Sequence, residues 1–320
     1  KADFNIASSL QMGYKWSTVI LGHVSGNFAS HDMNGDSFLD DPRMLQFNLA
    51  NRWLYQGDNG VQLRFGVRAI QDSRLGGQML MDDDGKHVYY DKDNYIWNPL
   101  ELKAMQVNPW GSEILNRSLN GYLKLGIPLA EDNSQNIAMV LDYNYQDMDS
   151  YFGKTKYLAG QHSAFANLLY QNEINESHKF TVGLNGTYDV YNEDFLRKTW
   201  PFHVKEYGWN DRTDLANAGV FGEYTFKAGD KFSAIGGLRG DWFYKQGFKV
   251  SPRVTLKYMP VDEIVIRANG GRGLRYSTPL VDNIGVFSTG KEFVGAYGDH
   301  ILEDAWTFGG NLTYYLPFGA

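Results

Sequence analysis

The chain contains no cysteine, so no disulfide and no thiolate metal centre can hold it together; a bacterial envelope location is compatible with this, as is the cytosol. It also lacks any apolar run of about eighteen residues, which excludes a bundle of transmembrane helices. No excess of basic charge is present. The formal net charge is -7 and the charged residues are scattered rather than blocked, which argues against a nucleic-acid partner. Catalytic signatures are missing as well: there is no nucleophile elbow, no His-Glu-x-x-His pair and no triad spacing, so no catalytic residue is assigned and no cofactor for catalysis is expected. His87, His162, His178, His203 and His300 fall in separate segments without metal-ligand spacing, and His23 and His31 flank a strand end. Haem ligation is disfavoured on that pattern.

What the chain does have is alternation. From Val61 to Ile70 an apolar side chain falls on each odd position, while Gln62, Arg64 and Arg68 take even ones. The same two-residue period sets Leu45, Phe47, Leu49 and Trp53 against Gln46, Asn48 and Arg52. It sets Ile137, Met139, Leu141, Tyr143 and Tyr145 against Asp142, Asn144 and Gln146. Phe180, Val182, Leu184 and Tyr188 face away from Thr181, Asn185 and Asp189, and Trp306, Phe308, Leu312 and Tyr314 face away from Thr307, Asn311 and Thr313. Strands greasy on one side, polar on the other and ended by aromatics read as an all-β, antiparallel transmembrane β-barrel rather than a long soluble sheet. Aromatic residues make up 15% of the chain, including 21 tyrosines, as interfacial girdles require.

The alternation predicts strands near 4–13, 17–28, 43–55, 61–72, 113–127, 137–149, 158–173, 178–191, 215–227, 231–245, 250–259, 263–271 and 305–316. Gly57-Asp58-Asn59-Gly60, Glu131-Asp132-Asn133-Ser134, Asn175-Glu176-Ser177, Ala228-Gly229-Asp230 and Pro260-Val261-Asp262 have turn chemistry and predict tight hairpins. Between them lie longer connections at 29–42, 73–112, 149–157, 192–214 and 272–304. Short and long therefore alternate, as short periplasmic turns and long extracellular loops do in the outer membrane. An odd strand number, and an end at Pro317-Phe318-Gly319-Ala320 just after a strand, make the chain read as an internal section of a larger barrel.

Three groups of residues are candidates for function. Asp32, Asn34, Asp36, Phe38 through its carbonyl, Asp40 and Asp41 set oxygens at alternating positions around a glycine, a pattern that can wrap a structural Ca2+; the alternative is a solvated acidic turn. Counting from Asp32, the EF-hand glycine and glutamate positions hold Ser37 and Arg43, so the likeness is in ligands and not in fold. The connection from Ser73 to Ser112 is too long for a mere connector and carries Asp82-Asp83-Asp84-Gly85, His87, Tyr89, Tyr90, Tyr95, Trp97 and Trp110. With Trp200, His203, Tyr207 and Trp209 it offers rings on which a flat ligand or sugar stacks, although aromatics also cement loops and belt interfaces. Last, Arg52, Arg64, Arg68, Arg239 and Arg267 point to the polar side and are expected to line the lumen.

A resemblance enters at Pro252-Arg253-Val254-Thr255-Leu256-Lys257-Tyr258-Met259-Pro260, followed by Ile264-Val265-Ile266-Arg267-Ala268 and Gly271-Arg272-Gly273-Leu274-Arg275. This text resembles the TonB-dependent outer-membrane receptors. Leu302-Glu303-Asp304-Ala305-Trp306-Thr307-Phe308-Gly309-Gly310 is similar to the family's next strand, and Asn51-Arg52-Trp53 with Arg74-Leu75-Gly76-Gly77 resembles members from the Bacteroidetes. The resemblance implies a bacterial outer-membrane barrel of about twenty-two strands, filled by an N-terminal plug. It implies import of a scarce nutrient (a metal chelate, cobalamin, haem or an oligosaccharide) with energy supplied through TonB. Partners implied are outer-membrane lipid, the TonB complex through an N-terminal region not recognised here, a small-molecule or glycan ligand, and a surface lipoprotein. On this reading residues 1–320 are a partial barrel domain, with plug and C-terminal strands not recognised. The serine-arginine-phenylalanine-glycine motif of the large glycan importers is not found. A passive diffusion porin, or a small self-contained channel, is the alternative.

Overall fold

The computed structural model describes residues 1–93, 109–198, 206–289, 291 and 302–316. In chain order the strands are β1 (Ala2–Met12), β2 (Trp16–Asn27), β3 (Arg43–Gln56), β4 (Gln62–Gly77), β5 (Leu80–Met81), β6 (His87–Val88), β7 (Gly111–Pro128) and β8 (Gln135–Phe152). They continue as β9 (Thr155–Asn175), β10 (His178–Lys198), β11 (Glu206–Ala228), β12 (Phe232–Phe243), β13 (Gly247–Val261), β14 (Ile264–Tyr276) and β15 (Leu302–Tyr314). A one-turn helix α1 (Pro279–Asp282) and a 3-10 helix (Ile284–Ser288) lie between β14 and β15. All strands but β5 and β6 form one 13-stranded sheet in sequence order. Its pairings are antiparallel throughout, so each strand of the alternating pattern appears where the sequence predicts it.

Register converts the two-residue period into two continuous faces. Trp53 lies opposite Phe65, Phe65 opposite Leu123, Leu123 opposite Leu141, and Leu141 opposite Ala166. The resulting apolar band is bounded by aromatics at both ends. At the end with the short turns, Trp16 packs on Tyr55 with centroids 4.8 Å apart, Trp53 stacks on Phe65 at 6.3 Å, and Tyr170 meets Phe180 at 5.9 Å. At the other end Tyr143 and His162 share a 2.7 Å hydrogen bond, and the rings of Tyr145 and His162 lie 4.9 Å apart. Just beyond this second girdle the same face turns ionic. Arg117 pairs with Asp147 and Asp149 at 2.5 and 2.8 Å, and Lys156 pairs with Asp194 at 2.6 Å. Apolar band, aromatic girdle and then charge is the profile of a wall crossing a lipid layer.

A crossing strand needs about 9–11 residues, yet β10 has 21 and β11 has 23. Roughly half of each therefore stands beyond the band. These extensions correct the expected loops. The connection predicted over 149–157 is a two-residue turn at Gly153 and Lys154, and most of 192–214 is strand. The β12–β13 connection at the same end is short as well. Loops at this end are thus not uniformly long. Gly153 takes φ +53°, and a Cβ there would meet the Trp110 indole nitrogen at 2.6 Å, so a tight turn against that ring requires glycine.

The densest packing is on the opposite face, above the band. The segment after β14 leaves the sheet and lands on β8, β9 and β10, where Leu280 and Phe287 join Met148, Phe152, Tyr157 and Phe195 in one buried cluster, with Ile284 at its margin. A connection that starts at β14 and reaches β8 must cross the concave side of a curved sheet. The polar face is accordingly the inner one. We call residues 277–289 the strap.

Candidate functional site

The acidic loop after β2 is folded on itself. Asp32 Oδ1 accepts from the backbone N–H groups of Gly35 and Asp36, and Oδ2 accepts from Ser37. Asp36 Oδ1 accepts from Phe38 N–H, Asp36 Oδ2 from the Asn34 amide, and Asp40 Oδ2 from Met33 N–H. Phe38 makes a bridge to Gln78, and Asp41 is exposed. Among the described residues no three acidic or histidine side chains converge as metal ligands. The carboxylates instead satisfy backbone donors, with Gly35 and Ser37 at φ +72° and +67°.

Of the aromatic residues in the 73–112 connection, Tyr89, Tyr90 and Trp110 lie among the described residues, and each contacts a neighbouring connection. Tyr89 hydroxyl lies 2.6 Å from Ser30 Oγ, and the Arg43 guanidinium sits 4.7 Å above its ring. Tyr90 is buried and donates to the Gly153 carbonyl at 2.7 Å. Trp110 lies against Gly153 and its backbone N–H donates to Gln78 Oε1. Tyr90 and Trp110 tie the β4–β7 connection to the tip of the β8–β9 hairpin and Tyr89 ties it to the β2–β3 connection; Tyr90 is buried, while Tyr89 and Trp110 are half-buried. Tyr207 and Trp209 belong to β11, opposite Arg197 and Phe195. Tyr95, Trp97, Trp200 and His203 lie outside the described residues.

A cleft that sequence reasoning did not assemble lies on the inner face between β10 and β14, beside the strap. Its volume is about 510 Å3, and its polar lining includes Asp189, Tyr191, Asn217, Arg239, Asp241, Arg275 and Tyr276. Arg239 Nε and Nη2 donate to Asp241 at 2.5 and 2.8 Å. That carboxylate is buried because it leans over Gly219 on the neighbouring strand; a Cβ there would lie 2.0 Å from Asp241 Oδ1. Arg275 pairs with Glu303 at 2.6 Å and Asp282 at 3.1 Å, and Arg272 takes Asp304 in a two-pronged pair at 2.8 and 2.6 Å. Each guanidinium has five N–H donors, so each keeps some free after pairing. Tyr276 closes the edge, its hydroxyl 3.0 Å from the Ala216 carbonyl and 2.9 Å from that of Tyr244. One signal for the cleft was in the text: Arg239 and Asp241, two residues apart, share a strand face.

Above the cleft, Tyr157 donates to Glu193 at 2.5 Å, and burial, helped by that bond, pushes its phenol well above the ordinary tyrosine range. Arg197 holds the end of the strap by donating to the carbonyls of Thr289, at 2.7 Å, and Lys291.

A 13-stranded antiparallel wall with a lipid band outside and an ionic cleft inside is matched by a family model described as TonB dependent receptor-like, beta-barrel, over residues 13–315. The chain belongs to that family. This TonB-dependent receptor barrel is thus a bacterial outer-membrane protein. No curated protein matches it. Among solved structures it is similar to the siderophore receptor PiuA from Acinetobacter baumannii, at 12% identity and a TM-score of 0.66, over 98% of this chain and 53% of that one. It is also similar to the copper transporter OprC, at 14% identity and TM-score 0.63, over 98% and 48%. The ferric citrate transporter FecA in its unliganded form gives 12% and 0.60, over 98% and 46%. The receptor barrel described here spans about half the length of these matches.

Proposed function

We propose that the protein is an active importer that captures a scarce nutrient at the loop end of the barrel, outside the cell, and passes it inward with energy supplied through TonB. The observation that carries this reading is the ionic cleft on the inner face above the lipid band, in a chain of this family. A ligand held there by Arg239 and Arg275 is anionic, and an iron or copper chelate with carboxylate or catecholate oxygens fits guanidinium forks better than a neutral oligosaccharide does. Three neighbours named for a siderophore, copper and ferric citrate support the metal-chelate class over cobalamin or haem. We further propose a Bacteroidetes-type receptor, on the strength of the Asn51-Arg52-Trp53 and Arg74-Leu75-Gly76-Gly77 text, and a plug filling the barrel. A Ca2+ taken up by Asp32, Asn34, Asp36, Phe38, Asp40 and Asp41 would stiffen the loop beside Tyr89. A surface lipoprotein remains a proposed partner.

The test is uptake of labelled ferric siderophore by cells expressing the full-length gene product, with and without TonB. Accumulation that requires TonB and falls when Arg239 and Arg275 are both changed to alanine is expected. Uptake that runs equally without TonB, linear in substrate concentration, would instead identify a diffusion channel.

A further inference from the structure

The ladder between β13 and β14 stops before either strand does. It ends at Arg253 and Gly271, although β13 begins at Gly247 and β14 runs on to Tyr276. Beyond that point each strand stays paired on its other side only, β13 with β12 and β14 with β15. Pro252 sits where the next rung would form and has no N–H to give. Side chains of β14 close this seam instead. Arg272 Nη1 donates to the Val250 carbonyl at 2.8 Å while Nε and Nη2 hold Asp304, and the Tyr276 hydroxyl reaches the Tyr244 carbonyl at 2.9 Å. Arg272, Leu274 and Tyr276 share the register of Ala268 and Gly270, which belongs to the outer face, yet all three line the inner cleft. Here side chains, and not a hydrogen-bonded backbone, divide the cleft from the outside.

On the outer face, at the last rungs of the same ladder, lies a second cavity of about 340 Å3. Val254 and Leu256 form one wall, Trp306 and Phe308 the other, and Ala268 and Gly270 are too small to fill the space between them. The two cavities abut. Ser251 and Arg272 line the inner one, and their chain neighbours Pro252 and Gly271 line the outer one.

We infer that the cargo of the ionic cleft is an amphiphile, an anionic chelate carrying a fatty acyl chain, whose tail leaves through the seam between β13 and β14 and lies in the outer groove. The inference rests on the import reading and names its substrate more closely. Polarity divides along the path as it does along such a molecule, with the guanidinium groups of Arg239 and Arg275 inside and aliphatic and aromatic side chains outside. Gly273 gives the seam room, since no atom lies within 4 Å of where its side chain would begin. A tail passing there displaces the hydrogen bond from Arg272 to Val250 and leaves the pair with Asp304 in place. A resident membrane lipid would fill the groove but leave its continuity with the cleft without a use.

The experiment is binding to the full-length gene product in lipid nanodiscs, without TonB. The probes are the ferric complexes of the dodecanoyl and acetyl forms of one citrate-hydroxamate chelator, with empty nanodiscs correcting for partition into lipid. Wild type is expected to bind the dodecanoyl complex about tenfold more tightly than the acetyl one, as for burial of roughly two methylene groups. Ala268→Trp, which fills the groove, should remove that preference and leave binding of the acetyl complex unchanged. Ala166→Trp, the same change on the outer face of β9, should keep the preference. If Ala268→Trp does not fold, Ala268→Leu decides. Equal affinity of wild type for the two complexes overturns the inference and leaves the chelate reading standing, and so does a preference that survives in Ala268→Trp. A wild type that binds neither complex overturns both. A membrane lipid that co-purifies with wild type but not with Ala268→Trp, and that neither complex displaces, assigns the groove to lipid and overturns the inference.

Discussion

Phe287 of the strap lies on Tyr157 of β9, with ring centroids 5.0 Å apart and planes inclined by 49°. Both residues are buried, at 1% and 0% exposure, in a wall whose side chains are mostly half-exposed. Phe195 and Phe152 complete the socket, 5.4 and 6.1 Å from the same ring. This contact sets where the strap sits and so fixes one side of the cleft. Phe287→Ala should cost the strap about 3–5 kcal/mol of local stability, as expected for emptying a buried aromatic site. Hydrogen exchange would show it as lost protection over 277–289, with the strands of the lipid band unchanged. Equal protection in both proteins would mean that the polar contacts of Arg197 and Arg275 hold the strap without the aromatic socket.

The wall was legible in the sequence and the strap was not, for one physical reason. Alternation reports how a strand divides two solvents, and Phe180, Val182, Leu184 and Tyr188 report it wherever the strand crosses lipid. Beyond the second girdle both faces meet water or protein, so the pattern of Met148, Ser150 and Phe152 no longer marks a boundary, and β8 continued past the predicted strand end. Phe287 sits in a segment with no period at all, and its partners come from β8, β9 and β10. Long-range packing of this kind leaves no local trace. The aromatic loop residues illustrate the converse: Tyr89, Tyr90 and Trp110 were conspicuous as rings, but composition could not distinguish a stacking surface from cement.

Tyr157 makes the same socket sensitive to alkali. Its phenol is raised above the ordinary value of 10 by burial first and then by its hydrogen bond to Glu193. The folded protein therefore keeps a proton that the unfolded segment releases above that value. Stability from this group is fully present below pH 10 and is lost as pH rises beyond it. Strap protection should be flat from neutral pH to about 9 and should fall above 10. The Tyr157→Phe variant, which has no proton to release and leaves Glu193 without its donor, should start lower and show less of that alkaline fall. An identical alkaline profile in both proteins would assign the effect to another group.

Calcium binding by the loop after β2 requires its carboxylates to change partners or to share them. Asp32 already accepts from three backbone N–H groups, so Asp32→Ala removes the fold of the loop together with any ligand. Asp36 is the more discriminating position. Calorimetric titration with CaCl2 is expected to give saturable heat for wild type and none for Asp36→Ala, while magnesium gives little because its smaller octahedral shell fits this ligand set poorly. Equal heats from the two proteins would remove the cation and leave a self-capped acidic turn.

Gly219 offers the most direct route to the cleft without touching an ionic residue. Its absent side chain is the space into which Asp241 leans, and a methyl group there would sit 2.0 Å from Oδ1 and 3.0 Å from the Gly240 carbonyl oxygen. The carboxylate can swing away, but the backbone cannot. Gly219→Ala should therefore push Asp241 off Arg239 and cost about 1–3 kcal/mol, as overpacking of a close contact does. If the Arg239–Asp241 pair positions the guanidinium for an anionic ligand, ferric siderophore uptake should fall in this variant even where outer-membrane abundance matches wild type. Gly222→Ala, on the same strand with its nearest neighbour at 3.9 Å, is the control and should leave uptake unchanged. Loss of uptake in both variants would trace the effect to the strand as a whole and not to the carboxylate.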